Sequence, residues 1–198
     1  MASMTAPCSR CGIVLHRVLT TPYLHARHIL INQMQRFYHT RACTHARTRA
    51  KQAYWDSPLT DVGIEQGKRL AEEVSQLRVQ PELVVVSPLR RAIHTAQLGF
   101  RPDGQQPATV FTAAPTAPTA PPFVCTELAR ERVSFHTCDG RRTKAEIAAD
   151  FPFVDLSEVI SEDDAMWNVK EDVPTEAASE ACAVRAVELL QWLKARPV

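Results

Sequence analysis

VVVSPLRRAIHTAQ, Val84 to Gln97, opens on three β-branched residues, turns at Ser87 and Pro88, and continues into a segment carrying Arg90 and Arg91. An apolar β-branched run bounded by a turn signal reads as a strand, and the segment beyond it as a helix. Strand, tight turn and helix together put a guanidinium at the carboxyl end of a strand. Ligands of open α/β sheets bind at the carboxyl ends of strands, and helix amino ends favour anions, so a phosphate site is the first hypothesis. The plainer alternative is an ordinary buried strand and an amphipathic helix whose arginines are solvated.

Upstream lies DSPLTDVGIEQGKRLAEEVSQL, Asp56 to Leu77. Thr60 suits a helix N-cap, and Asp61 and Glu65 place negative charge early in the helix, where it is favourable. Ile64, Leu70, Val74 and Leu77 recur near the helical period as one apolar stripe. A helix therefore precedes the arginine-bearing strand, as a parallel α/β sheet requires.

These two segments resemble the histidine phosphatase superfamily, the phosphoglycerate mutase-like group. The family pattern of Leu-Thr, two residues, Gly, two residues, Gln stands as Leu59, Thr60, Gly63 and Gln66. The pattern SxLxRAxxTA stands as SPLRRAIHTA, with the family arginine at Arg91 and its Thr-Ala pair at Thr95 and Ala96. A third stretch, Glu127 to Pro152, is similar to a plant, algal and fungal branch through Arg130, Glu131, Cys138, Asp139, Arg141, Arg142 and Thr143. Thr143 and Glu146 also form a capping-box pattern, which supports a helix start on physical grounds. The likeness runs from about Asp56 to Arg196.

The resemblance implies a three-layer α/β/α sandwich of phosphoglycerate mutase type and a phosphatase acting on a small phosphorylated metabolite through a phosphohistidine. In the family an arginine clamps the phosphoryl oxygens, which assigns Arg91, and a carboxyl group protonates the leaving oxygen, which assigns Glu131. Arg141 and Arg142 become candidate substrate contacts. The residue types suit the chemistry: neutral imidazole is a nucleophile, a phosphoryl group needs preorganised donors, and a protonated carboxyl can serve as general acid. No metal or other cofactor is implied.

The family's Arg-His-Gly motif is absent from the sequence. The only Arg-His dipeptide is Arg27 with His28, followed by Ile29, and the strand-like run near the start is GIVL, Gly12 to Leu15. Distance to Leu59 and Thr60 puts the nucleophile near His39, with His28 the second candidate; histidines of a poorly ordered leader are the alternative. The family's second histidine follows a long helix and a strand. Glu176 to Lys194 supplies the helix, with Cys182, Val184, Val187, Leu190 and Leu193 on or near one face, and the sequence stops soon after. The expectation is an incomplete or aberrantly predicted gene product with an incomplete sheet. A pseudophosphatase or remnant that binds a phosphorylated ligand or a partner protein is the competing function.

Composition bounds the rest. With 198 residues, 45% hydrophobic and 23% charged, the chain suits one soluble α/β domain. Its net charge of +1 hides an asymmetry: residues 1–55 hold eight Lys or Arg and no Asp or Glu, against 15 basic and 22 acidic residues from Asp56 onward. Five of the seven histidines also lie in that leader. The organisation expected is a basic leader at 1–55, disordered, targeting-like or mistranslated, and a domain at 56–198 with a Pro/Ala/Thr-rich loop at 101–122. A transit peptide would make the protein organellar; otherwise it is cytoplasmic. The leader lacks the aromatic interleaving of a nucleic-acid binder, and no run is long enough to span a membrane. Cys8 and Cys11 form one CxxC without the second pair that a structural zinc site wants, so the six cysteines read as free thiols. Oligomeric state is left open.

Overall fold

Four parallel strands in the order β1-β2-β3-β4 form the sheet of the computed structural model, which describes residues 28–31, 54–101, 120–133, 137–168 and 175–196. The strands are β1 (His28–Ile31), β2 (Leu83–Val86), β3 (Phe123–Cys125) and β4 (Val154–Asp155). Between them run α1 (Asp61–Ser75), α2 (Arg90–Phe100) and α3 (Lys144–Asp150); α4 (Ala165–Asn168) and α5 (Thr175–Ala195) follow. In register, Val84 lies opposite Phe123 and Ile29, and Phe123 opposite Val154.

Strands laid down in chain order, each joined by a right-handed crossover, place every crossover helix on the same face of the sheet. The packing obeys this. Val84, Val86, Phe123 and Cys125 point to the side where Leu70 of α1, Ile93, Ala96 and Phe100 of α2, and Ile147 of α3 close the larger core. The alternate residues Leu83, Val85 and Val124 point the other way and are covered by Leu189 and Leu193 of α5. Three layers result. All four residues of β2 are buried, the signature of a strand covered on both faces.

Local chemistry sets the element ends. Thr60 caps α1 by accepting from the Gly63 N–H at 3.2 Å. The α1 face turned inward carries Gly63, Gly67 and Leu70, while Leu77 lies beyond the helix and is exposed. Glycines permit the α1–α2 contact: a Cβ at Gly67 would stand 2.6 Å from Leu98 Cδ1, and one at Gly99 2.6 Å from Leu70 Cδ2. At α3 the capping box forms as expected, Thr143 Oγ1 accepting from the Glu146 N–H while Glu146 accepts from the Thr143 N–H at 2.9 Å. Thr143→Ala is expected to cost about 1 kcal/mol in urea unfolding. A loss below about 0.3 kcal/mol would mean that α3 is held by packing alone.

Two features differ from the sequence reading. The segment HILI, within the leader at 1–55, pairs as β1 along the whole of β2, because its β-branched and apolar residues match an otherwise unpaired strand edge. Residues 12–15 lie outside the described residues, as does most of the Pro/Ala/Thr-rich loop. On α5 the inward face is Ala178, Leu189 and Leu193, whereas Val184, Val187 and Leu190 are exposed. Both faces of that helix are apolar, so periodicity alone did not choose between them.

Candidate active site

The carboxyl ends of β2 and β3 lead directly into the residues that could do chemistry. After β2 the chain passes buried Ser87 and Leu89 and enters α2, whose N-cap, Leu89, offers no side-chain hydrogen bond. Arg91 is therefore fixed one residue into a helix at the mouth of the sheet. It is 5% exposed. Its Nη1 donates to the Cys138 carbonyl at 2.5 Å, and its Nη2 lies 3.6 Å from Glu131 Oε2 without a hydrogen-bond partner among the described residues.

After β3, Thr126 caps a 3₁₀ turn, Glu127–Ala129, by accepting from the Leu128 N–H. The chain then delivers Arg130 and Glu131. Arg185 of α5 holds this corner from the opposite layer, donating to the Glu131 carbonyl at 2.6 Å. The expected return of the chain through Phe123–Thr126 toward Glu131 is what places this carboxylate beside Arg91. The Thr126 N–H still bonds to Val86 O at 3.0 Å, extending the β2–β3 pairing one step beyond the strand.

Arg142 occupies the same region. Its Nε donates to Asp56 Oδ2 at 3.1 Å and its Nη1 to Asp150 Oδ2 at 2.7 Å, leaving Nη2 buried without a hydrogen-bond partner among the described residues. Asp56 also accepts from the Arg90 N–H, at 2.8 Å, through Oδ1. Burial pushes the Asp56 carboxyl above its ordinary range, against the opposing pull of the Arg90 N–H and of Arg142 and Arg91. The amino end of α2, offered by the sequence to a phosphate, thus already holds a carboxylate.

Arg141 has a different setting. Its side chain is fully buried: Nε donates to Glu127 Oε1, Nη1 to the carbonyls of Arg142 and Glu162, and Nη2 to Ser161 and to the Asp163 carbonyl. All three guanidinium nitrogens are committed to the chain. Arg130 pairs with both oxygens of Asp164, at 2.6 and 2.9 Å, and donates to Asp139 O. Burial of Asp164 opposes its charge, yet Arg130 and the N–H groups of Arg141 and Trp167 hold its carboxyl below the ordinary range. These cross-links fix the segment 137–142 on which Cys138 and Arg142 sit.

His39 lies outside the described residues. His28 is the first residue of β1, opposite Leu83, so it stands at the amino ends of the strands. It is three residues, roughly 10 Å at 3.3 Å per residue, from the end where Arg91 lies. His94 of α2 is half-buried, and burial followed by the nearby Arg90 charge lowers its pKa. Among the described residues, Cys125, Cys138 and Cys182 form no disulfide with one another. Asp56, Asp150, Asp164 and Arg185 were not singled out from sequence. Apart from Asp150, which pairs with Arg142 eight residues before it, their partners lie far along the chain, and only the proline-threonine lead-in after Asp56 hinted at a structured approach to α1.

Among the described residues no cluster of three or more His, Cys, Asp or Glu side chains could hold a metal ion, and no helix is long and apolar enough to cross a membrane. Residues 37–110 match the family model of the histidine phosphatase superfamily, branch 1. A phosphoglycerate mutase-like protein of Arabidopsis thaliana is 33% identical over 159 residues, covering 72% of this chain and 56% of the relative. Phosphoglycerate mutase-like protein 1 of the same plant is also 33% identical, covering 72% and 54%. A probable phosphoglycerate mutase of Arthroderma benhamiae is 27% identical, covering 66% and 41%. The chain spans about half the length of these plant relatives, and no solved structure matches it. Over these stretches the chain is similar to the phosphoglycerate mutase-like group of the histidine phosphatase superfamily.

Proposed function

We propose that this chain hydrolyses a small phosphorylated metabolite through a phosphohistidine, with Arg91 binding the phosphoryl oxygens and Glu131 protonating the leaving oxygen. The observation that carries the reading is the approach of Arg91 Nη2 to Glu131 Oε2, 3.6 Å, at the carboxyl ends of adjacent parallel strands. A guanidinium with an unspent N–H is ready for a phosphoryl oxygen, and the carboxyl beside it is within reach of the bridging oxygen. A dianion brought to Arg91 competes with Glu131 for the same positive charge. Two negative groups against one guanidinium favour a proton on the carboxyl, the form a general acid needs.

Arg142, with its own unspent Nη2, is the second phosphoryl contact in this reading. Arg141, whose nitrogens are all spent on the chain, acts through the segment it braces. The nucleophile is assigned to His39, since His28 begins its strand at the far end of the sheet.

The test is hydrolysis of 4-nitrophenyl phosphate by the purified chain without added metal, with rapid quenching to trap the phosphorylated protein. Turnover with an acid-labile, base-stable phosphoprotein is expected. A folded chain giving neither would overturn the reading and leave non-catalytic binding of a phosphorylated ligand as the alternative.

Glu131→Gln refines the assignment. For alkyl phosphates, whose leaving oxygen needs a proton, kcat is expected to fall by roughly 10²- to 10⁴-fold. For 4-nitrophenyl phosphate it should change little. Equal losses on both substrates would deny Glu131 the role of acid.

A further inference from the structure

Asp56 is a carboxylate in an unusual position. It is 1% exposed and has φ +43°, in the left-handed region that a residue other than glycine seldom adopts without cause. The surroundings hold it there. Ser57 Oγ donates to the Tyr54 carbonyl at 2.7 Å, and Trp55 Nε1 donates to the Arg141 carbonyl at 3.1 Å. The Trp55 ring fills the niche over Gly140, where a Cβ would come within 2.4 Å of it.

We infer that Asp56 is a positioning residue of the phosphoryl site: it caps α2 in place of a ligand and aims Arg142, so that the phosphoryl group is taken by the unspent Nη2 atoms of Arg91 and Arg142. The ligand in this inference rests on the phosphatase reading above; the contacts of Asp56 do not.

A guanidinium is a rigid plane. Its nitrogens are coplanar, so fixing two of them fixes the direction of the third. Asp56 fixes Nε of Arg142, Asp150 fixes Nη1, and Nη2 is the remaining donor, buried and without a hydrogen-bond partner among the described residues. Arg91 is arranged in a similar way, with Nη1 spent on the Cys138 carbonyl and Nη2 without a hydrogen bond among the described residues, 3.6 Å from Glu131 Oε2. A buried N–H left without a partner is costly and persists where something else repays it, as a ligand does. Meanwhile Oδ1 of Asp56 takes the Arg90 N–H, the donor that a phosphate at the helix terminus would use first. The Arg90 N–H is thereby taken from an anion, and the Nη2 atoms of the two arginines carry no hydrogen bond among the described residues.

The experiment uses the full chain with inorganic phosphate as probe, in two variants chosen for the left-handed backbone. Asp56→Gly accepts φ +43° and vacates the carboxylate niche; Asp56→Asn also tolerates it and keeps the shape without the charge. Calorimetry is expected to show phosphate binding weakened about tenfold or more in both, the scale of losing a charge-assisted hydrogen bond that orients the binding arginine. Added formate, which fits the vacated niche, should restore binding in Asp56→Gly and not improve it in the wild type or in Asp56→Asn. Binding that is unchanged or tighter in Asp56→Gly would overturn the inference, the tighter case showing that Asp56 merely competes with phosphate for the helix end.

Should the wild type bind no phosphate, the phosphatase reading fails first, and the Arg142 Nε–H resonance then judges Asp56 by itself. A slowly exchanging signal lost in Asp56→Gly and regained with formate supports the aiming of Arg142. A signal indifferent to the substitution overturns it. If the glycine variant does not fold, Asp56→Asn carries both measurements.

Discussion

Asp164→Ala is expected to destabilise the fold by about 3–5 kcal/mol, the cost of leaving a buried charge without its partner. Asp164 is 5% exposed and accepts four hydrogen bonds: two from Arg130, one from the Arg141 N–H at 2.8 Å and one from the Trp167 N–H at 3.0 Å. Its removal leaves the buried Arg130 guanidinium with Glu127 at 3.1 Å and the Asp139 carbonyl. Arg141 also loses the acceptor for its N–H. Against a total stability of roughly 5–15 kcal/mol, that loss moves the urea midpoint far. A loss below about 1 kcal/mol would show that the network is replaceable.

The same variant should flatten the acid limb of the stability curve. The carboxyl of Asp164 titrates lower in the folded chain than unfolded, so its contribution is complete above the unfolded pKa and is lost as pH falls through the folded one. Asp56 has the opposite sign: with its folded pKa raised, the fold gains as pH falls through that value. Removing Asp164 leaves the Asp56 effect, and the difference between the two acid limbs isolates Asp164.

Arg91→Ala is expected to lower kcat/KM for aryl phosphates by about 10²- to 10³-fold or more, the range for deleting one preorganised donor. It also removes the bond to the Cys138 carbonyl, which ties α2 to the segment carrying Arg142. Arg91→Lys should recover little. An ammonium is a point donor and cannot hold the Cys138 carbonyl with one nitrogen while offering another in a fixed direction. Circular dichroism would establish that both variants fold before rates are compared. Activity in Arg91→Lys close to wild type would mean that positive charge alone suffices and that the fork geometry is irrelevant.

What could be read from the sequence was local. Strand β2 and the start of α2 are marked by β-branched residues followed by serine and proline, and the starts of α1 and α3 by Thr60 and Thr143. The proximity of Arg91 to Glu131 followed from the motif order. The cross-links were not legible, because nothing near Arg130 marks Asp164, 34 positions away, as its partner. Nor did the phosphate expected at the α2 terminus anticipate Asp56, which stands 34 positions before Arg90. The inward face of α5 failed for another reason: Val187 and Leu190 are as apolar as Leu189 and Leu193, and only contact with Leu83, Val85 and Val124 distinguishes them.

Because the three crossover helices share one side of the sheet, the opposite side is covered, among the described residues, mainly by α5, whose Arg185 also clasps the Glu131 backbone. During synthesis, Leu83, Val85 and Val124 leave the ribosome long before the helix that shelters them. A nascent chain therefore carries a sticky, half-dressed sheet for most of its translation, and that surface is what chaperones bind. When α5 docks, one event hides the surface and braces the proposed acid. Damage to this helix would therefore expose the protein to quality control and loosen its chemistry together, so that molecules failing at one would fail at the other.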